Sequence, residues 1–290
     1  MEFKIADQNN LDEIKNVWCT CFSEPVESVR FFLKNNFNNE NCFVCIIDKK
    51  IVSMLFMIDT KINTGESLEK ACYIYAAATL PDFQKQGLMG KLLDYSEKEA
   101  KKKGYKYSLL FPATENLYSF YEKYGYIRFF KSKIFTLSKE EFKSLAKDTG
   151  NKEKFLPLES LYVLREKLAN LAGDIVWPKE FLQYAVKFNN FYGGKIIFSQ
   201  NGYAIVRKNR KETEILELCS SKDEIGDIFS TVYALFKTET YVIRLNGNED
   251  LLPFNGKIID FGMIKPLEGK NDIENMILLN NFPYLGIALD

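Results

Sequence analysis

The sequence predicts an α/β chain of two domains, each built on a mixed sheet. Three observations carry that expectation. At 290 residues the chain exceeds the usual single domain and falls short of three. Its composition is globular, with 46% hydrophobic and 14% aromatic residues. The order helices, meander, strand, helix, strand appears in the first half and again in the second.

Phe3-Lys4-Ile5 reads as a short strand. Asn9 or Asn10 can cap a helix whose apolar stripe is Leu11, Ile14, Val17, Trp18 and Cys21. Pro25 opens a second helix with Val29, Phe32, Leu33 and Phe37 on one side. Residues 42–48 and 51–60 form a hairpin around Asp48-Lys49-Lys50, and 62–67 a loop. Lys70 to Leu80 is a strand, closed by Pro81-Asp82-Phe83. Its Ala76-Ala77-Ala78 stretch is unusual, because alanine is a poor strand former. Small side chains there would let an extended ligand lie against the backbone. Leu88, Met89, Leu92, Leu93, Ser96 and Ala100 recur at helical spacing, with Gly104 as the stop. Tyr105 to Phe111 is a strand ended by Pro112, followed by a helix near Glu115 to Tyr124. Leu117, Phe120 and Tyr124 form its packing stripe, with Tyr121 at the stripe and Tyr118 at its edge.

Lys131 to Leu137 is expected as the last strand of the first domain, and Ser138 to Glu141 as a capping-box helix start. Residues 147–154, polar and containing Gly150, read as the linker. The expected domains are therefore 1–146 and 155–290. In the second, helices span 158–171, ended by Gly173, and Pro178 through Phe188. Strands cover 195–199, 203–207 and 214–219. A helix capped by Ser221 or Asp223 runs through Phe236, and a strand covers 241–245.

The stretch from Tyr73 to Gly104 organises the rest. A strand, a loop containing Gly87 and Gly90, and a helix turn the first free N–H groups of that helix toward the strand end. Donors at the positive end of a helix dipole make an anion site, and Gly87 lets an anion approach the backbone. The loop is neither GxxxxGK[ST] nor GxGxxG. Thr79-Leu80-Pro81-Asp82-Phe83-Gln84-Lys85-Gln86-Gly87-Leu88-Met89-Gly90 resembles the acetyl-CoA signature of the GNAT N-acetyltransferases, Arg/Gln-x-x-Gly-x-Gly/Ala opening a long helix. Gln84 and Gly87 match; Met89 stands where that family has Gly or Ala, and Gly90 follows one place later. The Gly-Leu-Met form is similar to the branch that includes the enhanced-intracellular-survival acetyltransferases. Downstream, Glu115-Asn116-Leu117-Tyr118-Ser119-Phe120-Tyr121-Glu122-Lys123-Tyr124-Gly125-Tyr126 resembles the family's closing FYEKLGF segment. The resemblance covers roughly residues 1–135.

The resemblance implies a GNAT acyl-CoA N-acyltransferase fold, then a second, degenerate GNAT-like domain whose Leu218-to-Glu224 join has no Gln/Arg-x-x-Gly loop. It implies acetyl-CoA as co-substrate. The pantetheine arm would pair with Ala77, Ala78 and Thr79, and the pyrophosphate would lie on Gln84, Lys85, Gln86, Gly87, Leu88, Met89 and Gly90. Thr114 stands where many members carry an asparagine that contacts the cofactor. Geometry alone does not choose between Tyr118 and Tyr121; counted back from Gly125-Tyr126, the family's general-acid tyrosine falls on Tyr121. A phenol with a reference pKa of about 10 suits proton donation to a leaving thiolate. The first two helices and the loop Phe22 to Pro25 would wall the acceptor site, and Glu24, Glu27, Tyr73, Tyr75 or water could take the amine proton. In the resembled branch a terminal carboxylate serves as a base, and the sequence leaves open whether Asp290 does so.

Composition narrows the chemistry further. The chain has no histidine, which excludes Ser-His-Asp and Cys-His nucleophile systems and histidine-ligated metals. Equal counts of 39 basic and 39 acidic residues give no electrostatic footprint for nucleic acid. No stretch approaches the roughly 20 apolar residues of a membrane span, and Met1-Glu2-Phe3-Lys4 opens a strand rather than a leader. Cys42 and Cys45 form a CxxC inside an apolar strand, where residues three apart face opposite sides. They read as small buried hydrophobes in a reducing, cytoplasmic setting, with no metal. The expectation is an acetyl-CoA-dependent N-acetyltransferase whose partner is a small-molecule amine or amine-bearing acceptor, not nucleic acid or membrane. The alternative is a non-catalytic acyl-CoA-binding or regulatory protein.

Overall fold

The structure, a computed structural model, describes residues 1–147, 157–167, 170–209, 211–268 and 272–287. The chain divides into two compact units. The first comprises Met1–Lys61, Leu68–Arg128 and the described part of 262–271; the second comprises Ile62–Ser67, Phe129–Phe261 and the described residues from Asp272 on.

The first unit runs β1 (Glu2–Ile5), α1 (Leu11–Phe22), α2 (Val26–Asn36), β2 (Cys42–Ile47), β3 (Lys50–Asn63), β4 (Leu68–Thr79), α3 (Leu88–Lys102), β5 (Tyr107–Leu110), α4 (Glu115–Glu122) and β6 (Ile127–Arg128). A capping box of Asp7 and Asn10 fixes the turn before α1, whose Ile14, Val17 and Trp18 are buried. Pro25 supplies the N-cap of α2. Asp48 and Lys49, both at positive φ, turn β2 into β3. Helix α3 buries Leu88, Leu92, Leu93, Ser96 and Ala100, and Gly104 at φ +78° follows its end. The strands lie in the order β1-β2-β3-β4-β5, and β4 and β5 are parallel. The next strand in the sheet is Met263–Pro266, which returns from the far end of the chain to lie antiparallel between β5 and β6. On one face Phe43, Leu55, Cys72, Ile74, Leu92, Leu93, Leu110, Tyr118, Tyr121, Tyr126 and Met263 form a continuous core. Each fully buried large apolar side chain in it is worth about 1.5–3 kcal/mol.

The second unit contains β7 (Lys131–Ser138), α5 (Lys139–Leu145), α6 (Leu158–Arg165), β8 (Ile175–Val176), α7 (Lys179–Phe191), β9 (Lys195–Phe198), β10 (Tyr203–Asn209), β11 (Glu212–Cys219), α8 (Ile225–Leu235), β12 (Thr240–Asn246) and β13 (Lys257–Asp260). The return strand is β14 in chain order, and α9 (Ile273–Leu279) follows it. This unit has its own sheet, ordered β13-β7-β12-β11-β10-β9. Strands β11 and β12 are parallel with α8 between them in sequence, the same local order as β4-α3-β5. The expected capping box at Ser138 and Glu141 is present at the start of α5.

Several elements depart from the sequence expectation. Lys131 to Leu137 is not the last strand of the first unit. It pairs with β12 over seven residues and with β13 on its other side, inside the second sheet. The place expected for it is filled by β14. The units therefore do not divide between residues 146 and 155: the first ends at Arg128 and takes 262–268 from the far end. Lys147 is described, and the remainder of the expected linker lies outside the described residues. The buried face of α4 is Tyr118 and Tyr121, whereas Leu117 is 38% exposed, so the helix is rotated from the expected stripe. The reason is tertiary: β14 and Arg128 satisfy and cover Tyr118.

Candidate active site

Register between β4 and β5 runs Ala71↔Tyr107, Cys72↔Ser108, Tyr73↔Leu109 and Ile74↔Leu110, and stops there. Strand β4 continues to Thr79 while β5 ends at Leu110, so the two part and leave the β5 side of Ala76–Thr79 without a strand partner among the described residues. Ala76, at φ +49°, sits in the left-handed region where it diverges. A residue with a Cβ pays about 1–2 kcal/mol for that conformation. The other edge of β4 stays tied to β3: Leu80 N donates to Val52 O at 2.9 Å, and the buried Ser53 hydroxyl bonds Ala78 O at 2.9 Å and shares a hydrogen bond with the Thr79 hydroxyl at 2.8 Å. The result is a strand with one satisfied edge and one open edge, ready for an extended ligand.

The loop after it is built by its own side chains. Gln84 Nε2 donates to Thr79 O at 3.0 Å and Gln86 Nε2 to Asp82 O at 3.2 Å. Lys85 at φ +60° and Gly87 at φ +73° are left-handed, the kind of backbone from which anion-binding nests of successive N–H groups are built. Gly87 is the N-cap, and no side chain caps the helix. A Cβ on Gly87 would meet nothing within 4 Å, whereas one on Gly90 would overlap the Tyr124 ring. The two glycines therefore differ in kind. Gly87 serves backbone conformation and open approach; Gly90 makes room for Tyr124. Gln84, Lys85, Gln86 and Gly87 are exposed, Leu88 packs with Cys45 and Val52, and Met89 packs beside Leu92.

Helix α4 carries three tyrosine-based features with its neighbours. Tyr118 Oη accepts from Gly262 N at 3.2 Å. Tyr126 Oη bonds the Ser108 hydroxyl at 2.6 Å and donates to Glu97 at 3.0 Å. Tyr121 is 8% exposed, its ring lies against Phe120 and Tyr126, and its hydroxyl has no hydrogen-bond partner among the described residues. Burial pushes its pKa up to about 12. Tyr121 shares its packing cluster with Ile74 and Ala77 of β4 and Met89 and Leu92 of α3. The structure thus brings the open strand, the loop helix and one unpartnered phenol together. Thr114 is the N-cap of α4, exposed, with its hydroxyl making no cap bond.

The opposite face of β4 carries Tyr73 and Tyr75. Tyr75 meets Trp18 at 5.6 Å and Phe32 at 5.2 Å between ring centroids. Above them, in the α1–α2 loop, Glu24 is half-buried, and burial raises its pKa; the Trp18 indole and Ser28 hydroxyl near it work in the opposite direction. Ser28 Oγ stands 3.4 Å from its carboxylate, and the buried Trp18 Nε1 lies outside hydrogen-bond geometry to any group among the described residues. Glu27 is exposed. Cys42 and Cys45 are buried thiols, and among the described residues no group of three or more potential ligands is placed to hold a metal ion. Asp290 lies outside the described residues. Sequence reasoning missed Ser53, β14 and the Ala76 conformation. Only the alanine run signalled any of them.

Comparison with known proteins agrees with this geometry. Residues 2–128 match the model of the acetyltransferase (GNAT) domain. No curated protein gives a sequence match. Among solved structures, a GCN5-related N-acetyltransferase from Anabaena variabilis superposes with a TM-score of 0.73 at 16% identity, covering 92% of this chain and 73% of that one. A probable N-acyltransferase from Enterococcus faecalis gives 0.71 at 17% identity, covering 92% and 72%. Eis1 from Mycobacterium abscessus gives 0.66 at 12% identity, covering 92% and 74%. At these identities the likeness is one of fold. The matched residues include the splayed strand, the glycine loop and α4, so this part of the chain is similar to the acetyltransferase (GNAT) domain.

Proposed function

We propose that the chain is an acetyl-CoA-dependent N-acetyltransferase that moves an acetyl group to a primary amine by direct attack in a ternary complex. The observation that carries this reading is the unpartnered Tyr121 hydroxyl, packed in one cluster with the open strand and the loop helix. The pantetheine arm would extend along the open edge of Ala76–Thr79, and the pyrophosphate would accept N–H bonds from the Lys85–Gly90 segment. A neutral amine nitrogen attacks the thioester carbonyl carbon, main-chain donors on β4 stabilise the oxyanion, and the C–S bond breaks. The departing thiolate takes its proton from Tyr121. With its pKa raised to about 12, that phenol is fully protonated at neutral pH and able to donate. Among Glu24, Glu27, Tyr73 and Tyr75, the half-buried carboxylate of Glu24 is the favoured acceptor for the amine proton, since burial raises its basicity.

The second unit would be a degenerate GNAT-like domain without its own cofactor. At the start of α8, the counterpart of the loop before α3, stands the carboxylate of Glu224. It is held by the Ser199 hydroxyl at 2.7 Å, Asn201 N at 2.8 Å and Asn201 Nδ2 at 2.9 Å. A fixed negative charge at that helix start opposes phosphate binding.

Tyr121→Phe tests the reading. Turnover should fall at least about tenfold, the lower end of a general-acid contribution, with acetyl-CoA affinity by calorimetry nearly intact. Unchanged turnover would remove Tyr121 from the mechanism. Binding of acetyl-CoA with no transfer to any amine would favour the non-catalytic acyl-CoA-binding reading.

A further inference from the structure

Because the Tyr121 hydroxyl has no hydrogen-bond partner among the described residues, the packing of its ring and the helix that carries it set where it points. Helix α4 has eight residues, too few to persist on intrinsic propensity. Its N-cap makes no side-chain bond. Its placement therefore depends on contacts from outside: the core packing of Tyr118 and Tyr121, and one side chain that reaches both its ends. Arg128, the last residue of β6, donates from Nε to Glu122 in the last turn of α4 at 2.9 Å. It donates from Nη2 to Glu115 in the first turn. Its guanidinium carbon lies 4.6 Å from the centroid of the Tyr118 ring, at the middle of the helix. Gly262 N, just before β14, meets the Tyr118 hydroxyl at 3.2 Å. Tyr118 and Tyr121 share the buried face.

Resting on the reading of Tyr121 as proton donor, we infer that Arg128 is a positioning residue that sets the reach of the Tyr121 hydroxyl by gripping both ends and the middle of α4. The planar fork of arginine is what permits this. Its separate N–H groups serve two carboxylates while its face covers an aromatic ring. A lysine ammonium is a point charge and can satisfy only one of the three contacts at a time. Each ion pair taken alone is partly exposed, with Arg128 at 29%, Glu115 at 72% and Glu122 at 44% side-chain exposure, so neither pair by itself would matter much. The shared guanidinium makes them one clamp, because a side chain ordered by the first contact pays less entropy for the others. The contacts named above all lie on α4, so acyl-CoA binding should not depend on them.

The test is a double-mutant cycle on the full chain. It follows thiol release from acetyl-CoA with the primary amine that gives the highest rate among spermidine, tryptamine, lysine and glycylglycine. Arg128→Ala should lower kcat about tenfold and leave the acetyl-CoA Kd within about twofold; Arg128→Lys should recover part of the loss. In the Tyr121→Phe background, Arg128→Ala should cost no more than about twofold, because the group it positions is already gone. Should Arg128→Ala fail to fold, Glu115→Gln with Glu122→Gln removes both ion pairs and leaves the guanidinium on Tyr118. It should show the same sign and the same loss of effect beside Tyr121→Phe. A slow Tyr121→Phe with a fast Arg128→Ala would sink the clamp alone, and so would equal losses from Arg128→Ala in both backgrounds. A fast Tyr121→Phe would take down the proton-donor reading and the clamp with it.

Discussion

Replacing the two loop glycines one at a time separates ligand approach from packing. At Gly87 the backbone has φ +73° and an added methyl meets nothing within 4 Å. Gly87→Ala should therefore cost only the left-handed penalty, about 1–2 kcal/mol of stability. The methyl would nevertheless stand where an anion must approach the N–H groups opening α3, so acetyl-CoA affinity should fall by at least about tenfold, or ~1.4 kcal/mol. At Gly90 the added methyl overlaps the hydroxyl and ring of Tyr124. Overpacking costs about 1–3 kcal/mol, against which the better helix propensity of alanine restores about 1 kcal/mol. Net stability should fall by about 0–2 kcal/mol, close to the Gly87 value, while acetyl-CoA affinity stays within about threefold. Pairing Gly90→Ala with Tyr124→Leu makes room and should recover the stability. The assays are urea denaturation for stability and calorimetric titration with acetyl-CoA for binding. Loss of binding in a Gly90→Ala protein of unchanged stability would refute the packing assignment. Normal binding by Gly87→Ala would refute the loop as the pyrophosphate site.

Three further outcomes concern parts of the fold that the loop does not reach. Lys265 Nζ lies 2.5 Å from the nearly buried carboxylate of Glu97, so Lys265→Met should strand a buried charge and cost about 2–4 kcal/mol of stability in urea, discounted for the partial exposure of the lysine. A chain cut after residue 146 lacks β14 altogether and should show no cooperative unfolding transition. Loss of less than about 1 kcal/mol on Lys265→Met would mean that the pair does not hold the strand. In the second unit, Asp174 accepts from Leu171 N, Tyr284 N and Asn280 Nδ2, yet burial raises its pKa from 3.8 to about 7. Its folded pKa lies above its unfolded one, so its contribution to stability is fully present below about pH 4 and is lost as pH rises toward 7. Unfolding free energy should drop between those values by up to ~1.4 kcal/mol per pH unit. The slope should vanish in Asp174→Asn; an equal slope in that variant would show that another group titrates.

Local chemistry was legible wherever neighbours in sequence decide the structure. The capping box at Ser138 and Glu141, the proline start of α2 and the glycine stop after α3 are contacts among residues a few positions apart, and each stands where the sequence placed it. The loop Gln84–Gly90 was equally readable, because a strand end, a helix start and a glycine at the junction define it without help from the rest of the chain. The individual roles inside it were not. Nothing in the spacing of Gly87 and Gly90 says that one faces open space and the other a tyrosine ring 34 positions away in the chain.

The sequence by itself determined the two-unit α/β character, the strand–loop–helix core and the pair of tyrosines from which a proton donor could come. Only the tertiary structure shows how the environments of the two differ. The Tyr118 hydroxyl accepts from Gly262 N and its ring lies under Arg128, whereas the Tyr121 hydroxyl has no hydrogen-bond partner among the described residues. That difference depends on β14, which arrives from 263–266 to pair with β5 and β6, while Lys131–Ser138 lies in the other sheet. Strand propensity is a property of a short segment, and both segments have it. Which of them fills the vacant edge of β5 is decided by burial of Met263 in the α3–α4 core and by the Lys265 to Glu97 ion pair. Those are energies between residues far apart in sequence, and no local pattern encodes them.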